Sequence, residues 1–405
     1  MTKKAKKQIL NIVFLVVLIG ITLVILVLSN SELNFANIFS FLQSANVWLL
    51  LVAVGCMLLY ILLEGVSLHA VSRKIGHRAK FRSSVAYAAA DVYYSGITPS
   101  ATGGQPASAF YMVKDGMDAG KASFALVFNL MAYTAAIVII GAVAFALQPF
   151  LLWDCGGFTV FLVMLGVALQ LLLLGFFIAC ICWHRAVLKI GGGIVKLLAK
   201  MRIVKNREKW LDKIATEVDK YRSSFHEMRR RPGLIIGTLA LNVLQRVSQI
   251  LIPSFVCLAV DPSASFVKLF AMQAFVTLGY NSIPLPGGVG AYEYLFLRIY
   301  ALSFEQAFVL SAMMVTRAIS YYLSLIVSGV YTLTYHIVLM KKTRGGDAEN
   351  ERSDDGSVLP TVEKSVSNEE NKDALSPEEG KTEISTDETG EGNKQAKALS
   401  EEEKN

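Results

Sequence analysis

The sequence predicts an all-α polytopic membrane protein, with about six full transmembrane helices and two re-entrant helical hairpins arranged as an inverted repeat. Three observations carry that prediction. Of 405 residues, 54% are hydrophobic and 18% charged, where a soluble chain carries about a quarter charged. The apolar residues are gathered into runs of about twenty or more, the length that crosses a bilayer. Two further apolar stretches, 83–110 and 264–302, are interrupted in the middle by Pro and Gly. This composition excludes an ordinary cytosolic enzyme.

In chain order, Lys3, Lys4, Lys6 and Lys7 precede an apolar run from Ile9 to Leu28. The run is longer than a signal-peptide core, so it reads as an uncleaved first span. Further spans are expected at 47–71, 122–147, 158–183, 234–260 and 305–340. Lys and Arg cluster before the first span, after the second (Arg73, Lys74, Arg78, Lys80, Arg82), between the fourth and fifth, and after the last (Lys341, Lys342, Arg344), while 29–46 and 148–157 have none. The positive-inside rule then places both termini in the cytoplasm. Giving 83–110 or 264–302 a full crossing would spoil that alternation, so each is read as a hairpin. Irregular backbone at membrane depth survives only inside protein or against a watery cavity, which makes both tips candidate site elements.

The net charge of +7 hides two opposite parts: residues 341–405 hold 10 Lys/Arg against 18 Asp/Glu, and residues 1–340 hold 29 against 14. The acidic part, poor in apolar residues, is expected to be a disordered cytoplasmic tail. His184 to Pro232 carries 14 Lys/Arg against 5 Asp/Glu, with Trp210, Ile214, Val218, Tyr221, Phe225 and Met228 at helical spacing. It reads either as an amphipathic helix on the inner leaflet or as one packed on its own bundle. The basic excess is explained by orientation and anionic headgroups, so no nucleic-acid partner is expected. Cys180-x-Cys182 is too tight for a metal pair and sits in an apolar span; neither metal nor cofactor is predicted.

A shift of 186 residues sets Tyr94-Ser-Gly-Ile-Thr-Pro-Ser-Ala-Thr-Gly-Gly-Gln against Tyr280-Asn-Ser-Ile-Pro-Leu-Pro-Gly-Gly-Val-Gly-Ala. Each segment leads through a polar link into a long apolar run, and the charge pattern makes one enter from the cytoplasm and the other from outside. Inverted repeats with broken helices meeting near the midplane are a transporter architecture. At the first tip, Thr98, Ser100, Thr102, Gly103, Gly104 and Gln105 offer hydroxyl, amide and backbone donors for a phosphate; at the second, Pro284, Pro286, Gly287 and Gly288 free backbone amides. The same residues also describe a tight turn with no ligand. Charges inside the apolar segments are costly and therefore informative: Glu64, Asp91, Arg246, Glu293, Arg298 and Arg317. Arginine forks suit phosphate, and Glu64 or Glu293 paired with Arg246 or Arg317 would equally serve as salt bridges holding the bundle. No catalytic constellation is present: no G-x-S-x-G, P-loop or H-E-x-x-H occurs.

Gly96-Ile97-Thr98-Pro99-Ser100-Ala101-Thr102-Gly103-Gly104-Gln105-Pro106, together with Pro284-Leu285-Pro286-Gly287-Gly288-Val289-Gly290-Ala291-Tyr292-Glu293, resembles the paired signatures of the lysylphosphatidylglycerol synthase transmembrane family, which includes the flippase half of the multiple peptide resistance factor. The resemblance covers about 1–340. It implies a bacterial inner-membrane flippase-like domain that moves an anionic or aminoacylated phospholipid between leaflets, lowering surface charge against cationic peptides. Full-length members add a cytoplasmic domain that transfers lysine from lysyl-tRNA to phosphatidylglycerol, and here the acidic tail stands in its place. A lysyltransferase-type role would then need a separately encoded synthase or other lipid-modifying enzyme as partner. Transport of a polyprenyl phosphate or a glycolipid, and a membrane scaffold with a partner-recruiting tail, are the other readings.

Overall fold

A computed structural model describes residues 35–98, 101–182, 228, 230–281, 283 and 286–354. The first expected span, Ser100, Pro284, nearly all of the basic loop and residues 355–405 lie outside them. Every regular element among the described residues is helical. They are α1 (Phe35–Ser44), α2 (Val47–Lys74), α3 (Phe81–Ile97), α4 (Gly104–Lys114), α5 (Ala119–Leu147), α6 (Gly157–Cys182), α7 (Pro232–Val260), α8 (Phe266–Asn281), a 3-10 turn (Pro286–Gly288), α9 (Ala291–Tyr300), α10 (Gln306–Arg317), a π-helical stretch (Ala318–Leu323) and α11 (Ser324–Asp354).

Among the described residues, five helical stretches are long and apolar enough to cross a membrane: Val47–Lys74, Ala119–Leu147, Gly157–Ile178, Pro232–Val260 and Gln306–Met340. They match five of the six spans expected from sequence. Their ends follow local chemistry. Asn46 caps α2 by accepting the Trp48 amide at 3.0 Å, and Arg73 and Lys74 sit in its last turn, where the helix dipole favours cations. Asp118 caps α5 through the Gly120 and Lys121 amides, and Pro232 opens α7 at a position needing no donor. The outer faces are those of a membrane protein: on α6, Leu172 is 71% exposed and Phe176 57%, an apolar surface that water would not tolerate.

Both Pro/Gly-interrupted stretches are two helices folded against each other. α3 packs on α4, and α8 on α9. α3 stops at Thr98, which is extended because a proline follows it. Thr98 Oγ1 donates to Tyr94 O at 2.6 Å and accepts the Gly103 amide at 2.9 Å, bridging the break.

The apolar core divides into two clusters. One gathers Leu68, Tyr87, Met112 and Phe124 near the α3–α4 hairpin; the other gathers Met57, Ile252, Phe275 and Phe296 near the α8–α9 hairpin. The first takes the late half of α2 and the early halves of α5 and α7; the second takes their opposite halves. Thus the two helix pairs pack toward opposite ends of the bundle. Met228, last of the apolar stripe in the basic loop, is buried in the first cluster. Between the clusters lies a polar layer. Ser67 Oγ donates to Asn129 Oδ1 at 2.6 Å, and Asn242 Nδ2 donates to the same oxygen at 3.1 Å. These neutral bonds join α2, α5 and α7 without burying a net charge.

Candidate functional site

The site is built at the middle of three spans, where Tyr60, Tyr133 and Arg246 fall at the halfway points of α2, α5 and α7. The Arg246 side chain is only 4% exposed. Its guanidinium lies 3.9 Å from the Tyr133 ring centre and 4.9 Å from that of Tyr60. Nη1 donates to Gln249 Oε1 at 2.6 Å and Nη2 to the Tyr60 hydroxyl at 3.2 Å, while Nε has no partner. All these hydrogen-bond and ring partners are neutral, so cation–π contact and dipoles help to hold the charge.

Arg317 closes α10, 5% exposed, with its guanidinium 4.0 Å from the Tyr292 ring centre. Nε donates to Glu293 Oε1 at 2.7 Å and Nη1 to Gly287 O at 3.1 Å, and Nη2 is unpartnered. Glu293 Oε2 accepts the Gly290 amide at 2.6 Å, so one carboxylate caps α9 and pairs with the arginine. The backbone at the second break requires glycine: Gly287 has φ +59°, and a Cβ there would meet the Tyr321 ring at 2.5 Å.

Between the two breaks opens a cavity of about 280 Å³, lined by Arg246, Arg317, Gln249, Thr316 and several tyrosines. Gly96 and Ala101 bring the first break to its wall, and Ile283, Gly287 and Gly288 bring the second. Pro253 interrupts α7 on the same wall. Tyr321 Oη donates to Gly96 O at 3.0 Å, tying the π stretch of the last span to the first hairpin. Tyr133 Oη donates to Asn281 Oδ1 at 2.7 Å, tying α5 to the second.

The structure brings Arg246, Arg317, Gly287 and Gly288 together on the cavity, with Glu293 anchoring Arg317. The donors expected from the first tip are spent elsewhere. Thr98 bridges the break, Gly103 gives its amide to Thr98, and Gln105 Nε2 donates to Asp91 Oδ2 at 3.3 Å. Gly104 packs on Asp91, Oδ1 lying 2.0 Å from where a Cβ would stand. Thr102 is exposed away from the cavity wall. Short polar side chains in a turn bond their own backbone first, as Thr98 does here. Glu64 and Asp91 lie behind Arg246: Glu64 Oε2 accepts from Gln245 Nε2 at 3.2 Å. Arg298 is exposed, 5.8 Å from the Tyr294 ring centre, and off the cavity. Pro286 opens the 3-10 turn. Sequence reasoning missed Tyr60, Tyr133, Tyr280, Tyr292, Tyr321, Gln273 and Asn281, all on the wall. The available signal was position, since Tyr60 and Tyr133 sit at mid-span, where a hydroxyl has no water and must meet protein or ligand. Among the described residues, no group of three or more His, Cys, Asp or Glu side chains could hold a metal ion.

A polytopic helical bundle whose interior holds two buried arginines beside two helix breaks defines an integral membrane protein with a polar, charge-bearing cavity at mid-depth. Residues 12–328 match the family described as the lysylphosphatidylglycerol synthase TM region, and the chain belongs to that family. It is similar to a UPF0104 membrane protein of Pyrococcus horikoshii, 19% identical over 82% of this chain and 99% of the relative. A UPF0104 membrane protein of Archaeoglobus fulgidus is 23% identical over 81% of this chain and 97% of the relative.

Proposed function

We propose that the cavity receives the phosphate of an anionic or aminoacylated membrane phospholipid, and that the protein moves such a lipid between leaflets of the cell membrane. On this reading both termini are cytoplasmic and the two hairpins are re-entrant from opposite sides. The observation that carries the proposal is the pair of buried arginines on one cavity, Arg246 and Arg317, each with an unused N–H. A guanidinium N–H without an acceptor is costly in an interior, and a phosphate oxygen supplies a charge-assisted one. A volume of about 280 Å³ is at the small end for ligand pockets. It suits a headgroup whose acyl chains remain in the bilayer.

The test is headgroup translocation in vesicles containing the purified full chain, with labelled phosphatidylglycerol, lysylphosphatidylglycerol and phosphatidylcholine. Arg246→Gln is expected to lower transfer of the anionic class at least ~10-fold, the loss of one charge-assisted bond. Arg317→Gln is paired with Glu293→Gln, so that no buried carboxylate is stranded, and is expected to do likewise. Wild-type transfer rates in both variants overturn the assignment.

A further inference from the structure

We infer that Glu64 and Asp91 bind a proton that accompanies the anion into the cavity, so that translocation is proton-coupled. The inference rests on the cavity being an anion site, as proposed above. Glu64 stands on α2 one turn beyond Tyr60, and Asp91 on α3 one turn before Ser95. Their carboxyl groups lie within hydrogen-bonding reach of each other. Two carboxyls so placed in a dry interior hold one proton between them, because like charges at that distance cannot both ionise. Their remaining donors are neutral: Gln245 on Glu64 at 3.2 Å, and Gln105 at 3.3 Å and Ser95 at 3.4 Å on Asp91.

The cation that faces both carboxyls is Arg246, next to Gln245 on α7. The other titratable groups around it are the hydroxyls of Tyr60 on α2, Tyr133 on α5 and Tyr280 on α8, and the π stretch that also packs on α2 has no charged side chain. With the cavity empty, Arg246 compensates the single negative charge of the pair. An anion at the unpartnered Nε–H of Arg246, a side chain only 4% exposed, draws on that same charge. The ionised carboxyl oxygen then forms an O–H bond with a proton taken from water, and the site as a whole keeps its charge. By linkage, protonation must strengthen anion binding by the factor with which the anion strengthens protonation. The pair also reaches the hairpin: Asp91 holds Gln105 and abuts Gly104 at the start of α4, while Gly96 and Ala101 of the same hairpin line the cavity.

The test is calorimetric titration of the full chain in detergent with short-chain phosphatidylglycerol and, separately, with glycerophosphate, in buffers of different ionisation enthalpy. Binding to the wild type is expected to take up as much as one proton per anion, with affinity falling several-fold as the pH rises. Glu64→Gln and Asp91→Asn keep the neutral hydrogen bonds, so both are expected to bind with uptake and pH dependence lost. Binding without uptake in the wild type, or unchanged uptake in both variants, overturns the coupling and leaves the anion site standing. Uptake with glycerophosphate alone supports the coupling and overturns the lipid as ligand. No binding of either probe overturns the anion site and the coupling with it.

Discussion

Glu293 and Arg317 are each worth little without the other. Their bond, 2.7 Å long between side chains about 11% and 6% exposed, is the kind whose disruption leaves a buried charge unmatched, at about 3–5 kcal/mol. Arg317→Gln alone is therefore expected to lower the thermal unfolding temperature in detergent markedly, with Glu293→Gln added on the same chain restoring much of it. Equal temperatures for the single and double variants would show that the pair does not hold the two elements together. Gly104→Ala places a methyl 2.0 Å from Asp91 Oδ1 and 2.7 Å from Asp91 O. Because the backbone oxygen cannot swing aside, it is expected to cost at least ~1–3 kcal/mol in the same assay. At this scale the sequence was legible where charge stood in an apolar run, as at Glu64, Arg246, Glu293 and Arg317. It was not legible at the tyrosines, since a tyrosine in a span is read equally as core or as an interfacial anchor. Thr98 and Gln105 look like ligand donors in a list of residues. Only the fold reveals that the first bridges its own turn and the second holds Asp91.

Among the elements, the two breaks were readable because proline and glycine have few other uses inside an apolar run. The expected boundaries 122–147 and 234–260 differ by only a few residues from α5 and α7. The run 305–340 reads as a single span, and in the structure it is α10, a π stretch and the start of α11 in one continuous helix. A π turn admits one residue more per hydrogen-bonded ring and leaves no mark in composition, so only coordinates locate it. Its placement matters, since it directly follows Arg317 and contains Tyr321, which holds Gly96 O. Tyr321→Phe removes that bond and is expected to cost about 1 kcal/mol, with faster amide hydrogen exchange concentrated around residues 94–98. Unchanged exchange there would sever the proposed link between the last span and the first hairpin. The last helix, α11, runs on to Asp354.

For the whole molecule, the decisive property is that the two broken helix pairs pack toward opposite ends of the bundle and line one cavity. Gly116, in the link after α4, and Ser263, in the link before α8, are both exposed. With the native thiols replaced, Gly116→Cys is expected to react with an impermeant maleimide only from the cytoplasmic face, and Ser263→Cys only from the other. Labelling of both from one face would refute the inverted arrangement. In the sequence, the expectation of this arrangement rests on the Lys and Arg distribution, a global pattern, more than on the few identities between the two motifs.

The halfway position of Arg246 along α7 has an electrical consequence. In a bilayer centred on that layer, a monoanion arriving from either face has crossed about half of the transmembrane potential, or about 1 kcal/mol per 100 mV. Occupancy of the site is thus set by voltage as well as by concentration, and with opposite sign for the two directions of entry. A proton loaded beside it would carry the compensating charge, making the paired transit nearly indifferent to the field and leaving the proton gradient itself as the drive.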